Sequence, residues 1–210
     1  MPEPATRLYL ILPPATDAAQ FKPLLEAAHG AGDIACVLLR QAGLRDVKSV
    51  AQALMPLAQE RDAAFLVEND ARLAARIGAD GVHVTYSAEA LDSALSSLGS
   101  DAIVGAGGLA SRDAAMSAGE AGAAYVMFGE PNADGSRPAP EHTFERIAWW
   151  AEIFSVPCVG YAGTLDEVGP LAEAGAEFVA LANAVWEHPG GPAEAVRQAN
   201  AILANAVLIA

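Results

Sequence analysis

One phrase recurs four times along the chain. It reads GAGDIACVLL at 30–39, IGADGVHV at 77–84, AGAAYVMF at 121–128 and AGAEFVAL at 174–181. Each time a helical stretch stops at a Gly-Ala or Ala-Gly pair, and an apolar run follows. Glycine suits the stop because only Gly takes the left-handed conformation at little cost. The copies align on Gly32, Gly78, Gly122 and Gly175, at intervals of 46, 44 and 53 residues. A single strand–helix unit is shorter than that, so each interval should hold two. The other runs are present: Leu8–Leu12, Ala64–Val67, Ala102–Ala106 and Pro157–Tyr161. All eight are continuously apolar rather than alternating, which predicts strands buried on both faces of a parallel sheet.

Helical patterns fill the gaps. Val47, Val50, Leu54 and Leu57 share one helical face, and Pro56 is expected to kink that helix. Thr164-Leu-Asp-Glu167 reads as a capping box. Ser87 and Ser111 read as N-caps, and Pro192 suits a first helical turn. Eight strands alternating with helices in 210 residues predict a compact single-domain (β/α)8 TIM barrel over residues 1–210. The rival is an open doubly wound sheet. The even repeat favours the barrel. So does the chain after Leu12, Pro-Pro-Ala-Thr-Asp, which is no Gly-rich dinucleotide turn.

Composition narrows the partners. With 53% hydrophobic residues the chain can fill one large core. A net charge of −14 repels nucleic acid and anionic membranes. A phosphorylated ligand then needs local help from Arg, a helix N-terminus or a cation. No segment approaches the ~20 apolar residues of a membrane span. The start, MPEPATRLYLILPP, lacks the basic n-region of a signal peptide. Cys36 and Cys158 sit far apart in apolar runs, which predicts buried free thiols in a reducing cytoplasm and no metal spacing. The apolar tail AILANAVLIA, 201–210, is expected to cover the barrel base or a partner subunit, so a homodimer is compatible.

In such barrels the working residues lie at the C-terminal strand ends and in the loops after them. That rule selects Arg40; Glu68, Asn69 and Asp70; His83, Thr85, Tyr86 and Ser87; Gly107 and Gly108. It also selects the loop from Gly129 with Glu130, Asn132, Asp134, Ser136 and Arg137, then Tyr161, Gly163, Thr164 and Asn183. Arg40 and Arg137 are guanidinium forks suited to phosphate oxygens. Asn69-Asp70 offers an amide and a carboxylate for Mg²⁺ shared with substrate oxygens. Ala162-Gly163-Thr164 precedes a helix start, where backbone N–H groups can face an anion. Plainer roles compete: a rim salt bridge for Arg40, a helix cap for Asp70, a satisfied core histidine for His83. Trp149 and Trp150 read as packing or interface residues.

In order along the chain, LYLIL, VLLR (37–40), END (68–70), GADGVHV (78–84), AGAAYVMFG (121–129) and AGAEFVALANAV (174–185) resemble the thiamine phosphate synthase/TenI family. The resemblance covers nearly the whole chain. It implies a TIM barrel that joins a pyrimidine diphosphate to a thiazole phosphate. Diphosphate leaves with Mg²⁺, through a pyrimidine carbocation-like state; the TenI branch instead tautomerises the thiazole.

The resemblance assigns the strand-two Arg to Arg40, the Asn-Asp pair to Asn69 and the Mg²⁺ ligand Asp70, and the strand-four His to His83. The Thr-x-Thr-Lys loop falls on Asp134-Gly-Ser136-Arg137, after Gly129. The Gly-Gly-Ile turn falls on Ala162-Gly163-Thr164, and the phosphate Ser on Asn183. It also marks departures. The Lys expected after Arg40 is Ala42, the second Mg²⁺ carboxylate is Ala88, the hydroxyl after strand five is Gly107, and the tautomerase His falls near Leu109. These changes imply a depleted site. The alternative is a non-catalytic or divergent paralogue binding a phosphorylated or heteroaromatic ligand at the same mouth. A sugar-phosphate isomerase is a more distant reading; it would need a rim base, for which Glu130 is the candidate.

Overall fold

The computed structural model describes residues 6–14, 16–132 and 134–206. Of the expected tail, 201–206 are helical and 207–210 lie outside the described residues. Eight strands alternate with helices: β1 (Arg7–Ile11), α1 (Ala18–His29), β2 (Cys36–Leu39), α2 (Val47–Gln59), β3 (Ala64–Glu68), α3 (Ala71–Ile77), β4 (Gly81–Thr85), α4 (Ala88–Ser97), β5 (Ile103–Gly107), α5 (Arg112–Glu120) and β6 (Tyr125–Phe128). Then come α6 (Pro140–Ile153), β7 (Cys158–Ala162), a 3-10 turn (Leu165–Glu167), α7 (Val168–Glu173), β8 (Phe178–Leu181), α8 (Asn183–Trp186) and α9 (Gly191–Ala206). The strands pair in sequence order, and β8 pairs with β1 in parallel, Arg7 beside Phe178 and Leu10 beside Leu181. The sheet is therefore a closed barrel, and the open-sheet rival is excluded.

The pleat sends alternate residues to two cores. Leu8, Leu10, Val37, Leu39, Phe65, Val67, Val82, Val104, Val126 and Val179 face the helices. Tyr9, Ile11, Cys36, Leu38, Leu66, Tyr125, Met127, Val159, Tyr161 and Ala180 fill the barrel. This division explains the continuously apolar runs. Trp150 is buried, stacks on Phe154 at 4.1 Å and donates from Nε1 to the Val156 carbonyl at 2.7 Å. Both cysteines are buried free thiols. Among the described residues no helix is long and apolar enough to cross a membrane.

Local signals fare unevenly. Ser87 accepts from Ala90 N–H and Ser111 from Ala114 N–H, as N-caps should. Gly78 ends α3 in the left-handed region at φ 77°. The first copy of the repeat departs from that pattern: α1 ends at Gly30 with right-handed backbone. Gly32 instead lies against α9, where a Cβ would collide with the Asn200 amide. Here glycine serves close packing rather than chain reversal. α2 runs through Pro56 to Gln59, so the proline falls in its last turn. The expected capping box is absent. Thr164 makes no side-chain cap hydrogen bond to the helix, and the Glu167 carboxylate has other partners, described below.

Candidate functional site

The barrel mouth, at the C-terminal strand ends, gathers the predicted polar residues. Its depth comes from β5, whose inward positions are Gly105 and Gly107. A Cβ on Gly105 would enter the Tyr125 ring, and one on Gly107 would meet both Glu130 and His83. Two missing side chains on one strand thus admit a polar chain from its neighbours.

That chain starts deep. The Tyr9 and Tyr125 hydroxyls are 2.8 Å apart, and the Tyr125 hydroxyl lies 2.8 Å from His83 Nδ1. His83 Nε2 lies 3.3 Å from Glu130 Oε1. An ionised carboxylate only accepts, so Nε2 carries the hydrogen there. In neutral His83, Nδ1 then accepts from Tyr125, whose oxygen accepts from Tyr9. Burial holds both tyrosines well above the ordinary phenol range, so they stay protonated donors. The second oxygen of Glu130 accepts from Gly108 N–H at 3.0 Å. Burial alone would raise the Glu130 carboxyl; the attraction and hydrogen bond of His83, the Gly108 N–H and the Arg40 charge outweigh it, leaving it below its ordinary value.

Arg40 sits between two acids. Its Nε is 3.8 Å from Glu68 Oε1, and its Nη2 is 3.8 Å from Glu130 Oε1. Both are ion pairs at arm's length, and the buried Nε has no hydrogen-bond partner. Glu68 is itself fixed by the chain after β2, accepting from Gln41 N–H at 3.1 Å, while the Gln41 amide donates to the Glu68 carbonyl. The expected rim salt bridge is therefore present, but loose.

Asn69 adopts φ 54°, a conformation Asn tolerates better than most residues. Its amide oxygen accepts from Thr85 N–H at 2.7 Å, and its amide nitrogen donates to Thr85 Oγ1 at 3.2 Å. It staples β3 to β4. Asp70 caps α3, accepting from Leu73 N–H at 2.8 Å. The cap engages Oδ1 and leaves Oδ2 uncommitted; no group of three His, Cys, Asp or Glu side chains that could hold a metal occurs among the described residues. Ala88, in the first turn of α4, contributes no carboxylate.

The loop after β6 folds on itself. Gly129 takes φ 87° and packs against Thr143, and Gly135 takes φ 81° at the turn tip. Asp134 Oδ1 accepts from Ser136 N–H at 2.9 Å and from Ser136 Oγ at 2.5 Å, an Asx-type turn. Asp134 thus spends its charge locally on the exposed loop, and Ser136 gives its hydroxyl to it. Arg137 crosses to β7 and forks onto Glu167, Nη1 to Oε1 at 3.0 Å and Nη2 to Oε2 at 2.6 Å. The same carboxylate accepts from Gly163 N–H at 3.1 Å and lies 3.5 Å from Thr164 Oγ1. The Arg137 guanidinium rests 5.4 Å from the Tyr161 ring centroid. Asn183, the first residue of α8, donates to Glu187, just past its end, at 2.9 Å.

The structure therefore brings Arg40, His83, Arg137, Gly163 and Thr164 to one mouth. Asn69, Asp70, Ser136 and Asn183 each make hydrogen bonds within the protein as well. A cavity of about 640 Å³ opens beside this mouth, between the chain after β5, the β6 loop and α6. Arg146 from α6 holds one wall by donating to the Leu109 and Ala110 carbonyls at 2.8 and 3.0 Å. Glu130 and Glu167 are the important residues that sequence patterns undervalued. The strand-end rule selects Glu130 only as one of several loop residues and as a candidate base, without its contact to His83, and Glu167 is hidden inside a capping pattern.

Fold and mouth together define a (β/α)8 barrel with a polar site of arginines, carboxylates and a histidine at its C-terminal rim. The thiamine monophosphate synthase family matches residues 8–185, and the chain belongs to that family. A thiamine-phosphate synthase of Rhodospirillum centenum is 45% identical over 201 residues, spanning 94% of this chain and 97% of that relative. One from Hyphomonas neptunium is 40% identical, spanning 96% and 95%. Among solved structures, thiamine phosphate pyrophosphorylase from Pyrococcus furiosus superposes with a TM-score of 0.78 at 21% identity, covering 95% of this chain and 96% of its own.

Proposed function

We propose that the chain is a thiamine phosphate synthase-type transferase working with a depleted anion rim. On this reading it binds a phosphorylated or heteroaromatic ligand at the mouth. It joins a pyrimidine diphosphate to a thiazole phosphate far more slowly than an ordinary enzyme. The observation that carries the reading is Arg40, 3.8 Å from both Glu68 and Glu130. A leaving diphosphate needs positive charge held ready for it. Here two carboxylates already flank the guanidinium. Each like-charge contact at about 4 Å costs an incoming phosphate oxygen roughly 1 kcal/mol in water and ~4 near a protein surface. Ala42 and Ala88 add no compensating side chain.

Asp70 would hold magnesium through Oδ2, with substrate oxygens and water completing the shell. Asp70 Oδ1 is engaged in the α3 cap, and the Asn69 amide is engaged at both ends. What these residues themselves support is orientation: His83, fixed by Tyr125 and Glu130, presents one face of the mouth, and Arg40 supplies the nearby positive charge.

A second reading, a paralogue that binds without transferring, is favoured by Glu130. A buried carboxylate beside His83 suits a heteroaromatic ring with N–H donors better than it suits an anion. Both readings meet one assay: purified protein, the two family substrates and Mg²⁺, with thiamine phosphate quantified. The expected rate lies far below the ~10 s⁻¹ of a typical enzyme. Turnover of that order would overturn the depleted-site reading.

A further inference from the structure

The Arg137 half of the mouth has an unusual composition for an unfilled site. Four donors converge on one point: both Nη atoms of Arg137, the Gly163 N–H and the Thr164 hydroxyl. They come from two separate loops, after β6 and after β7. A two-nitrogen guanidinium fork plus a backbone N–H plus a hydroxyl is a donor set that matches a phosphate group. The fit is close enough that Gly163 must lack a Cβ, because one would collide with Arg137 Nη1. Arg137 Nε is buried and has no hydrogen-bond partner, so the guanidinium keeps donor capacity unused. What fills the point of convergence is the carboxylate of Glu167.

We infer that Glu167 is an internal stand-in for the phosphate of a ligand, and that its side chain decides whether this cradle admits a phosphate monoester. The inference rests on the reading that the mouth takes a phosphorylated ligand. Glu167 follows the cradle by only a few residues, at the end of the 3-10 turn Leu165–Glu167. Its own attachments are limited to the cradle donors. A side-chain rotation that carries the carboxylate outward would leave Arg137, Gly163 and Thr164 in place and unpartnered. A phosphate dianion could then take two or more of its oxygens to the same donors. With Glu167 inward, an arriving phosphate meets a like charge at the point where the four donors converge. The two occupants are mutually exclusive.

The test is a binding measurement that needs no transfer reaction, so turnover or its absence leaves it separately decidable. Inorganic phosphate is titrated calorimetrically into the full chain at constant ionic strength. The comparison covers wild type, Glu167→Ala, Glu167→Gln, and the double variant Glu167→Ala with Arg137→Ala. The expected result is phosphate affinity at least about tenfold higher in Glu167→Ala than in wild type, a 1.4 kcal/mol change. A smaller gain is expected in Glu167→Gln, and the gain should be cancelled in the double variant. Circular dichroism establishes that each variant is folded; if the alanine variant does not fold, the glutamine variant supplies the readout. Unchanged or weaker binding in the folded single variants overturns the inference. So does a gain that survives loss of Arg137, because the phosphate would then sit elsewhere.

Discussion

The mouth has two halves that handle a guanidinium differently. On the β6–β7 side, Arg137 is locked: a fork at 2.6 and 3.0 Å onto one carboxylate, which is also held by a backbone N–H. On the β2–β4 side, Arg40 is suspended at 3.8 Å from two acids, and its Nε is unpartnered. A locked pair has short, aligned, charge-assisted bonds that must be broken before a ligand enters. A suspended one has excess negative charge around it but few hydrogen bonds to lose. The difference separates two ways of weakening an anion site: filling it, and neutralising it. It also predicts that an incoming ligand engages the Arg40 side first.

The scaffold beneath the suspended half gives the largest expected effect. Gly105→Ala would drive a Cβ into the Tyr125 ring. Overpacking of this kind costs about 1–3 kcal/mol, and thermal melts should show Tm falling by roughly 2–4 °C per kcal/mol for a chain of this size. A Tm equal to wild type would show that the glycine gap does not shape the mouth. Tyr125→Phe is next. It removes the hydroxyl between Tyr9 and His83 and leaves two buried polar groups unpaired. Urea unfolding should register a loss of about 1–3 kcal/mol.

Acid sharpens the contrast between the halves through Glu130 and Glu167. Burial pushes both carboxyls up. His83, Gly108 and Arg40 for the first, and Arg137, Gly163 and Thr164 for the second, pull them below the ordinary value of 4.5. A depressed folded pKa means the unfolded chain binds protons more readily. Their contribution to stability is therefore complete above pH 4.5 and is lost as pH falls through the folded values. Urea midpoints measured from neutral pH downward should fall in that window, and less steeply in Glu130→Gln. A cap that bonds neither arginine carries the smallest effect. Ser87→Ala removes the α4 cap, costs about 1 kcal/mol and should leave ligand affinity unchanged.

Much of this molecule could be read from the chain. The four-fold phrase and the continuous apolar runs located all eight strands, because burial on both faces leaves a composition signal. The rim rule found Arg40, His83, Arg137, Gly163 and Thr164, because strand ends are readable once strands are. What the chain could not show was pairing across loops. Glu167 lies 30 residues from Arg137, and its spacing from Thr164 imitates a local cap. Glu130 reaches His83 across the barrel interior only because Gly107, on the strand between, lacks a side chain. Asp70 and Ser136 have ligand-like chemistry, and partners two or three residues away already engage them, whereas Asn69 is engaged by Thr85, 16 residues on. Short-range partners form readily because closing a short loop costs little entropy.

On the proposed function, an anionic ligand reaches this mouth through its arginines. The most direct test is calorimetric titration of thiamine phosphate into wild type, Arg40→Ala and Arg137→Ala. The account predicts measurable binding in wild type and a loss of about tenfold or more in Arg40→Ala. Equal affinity in all three proteins would contradict it.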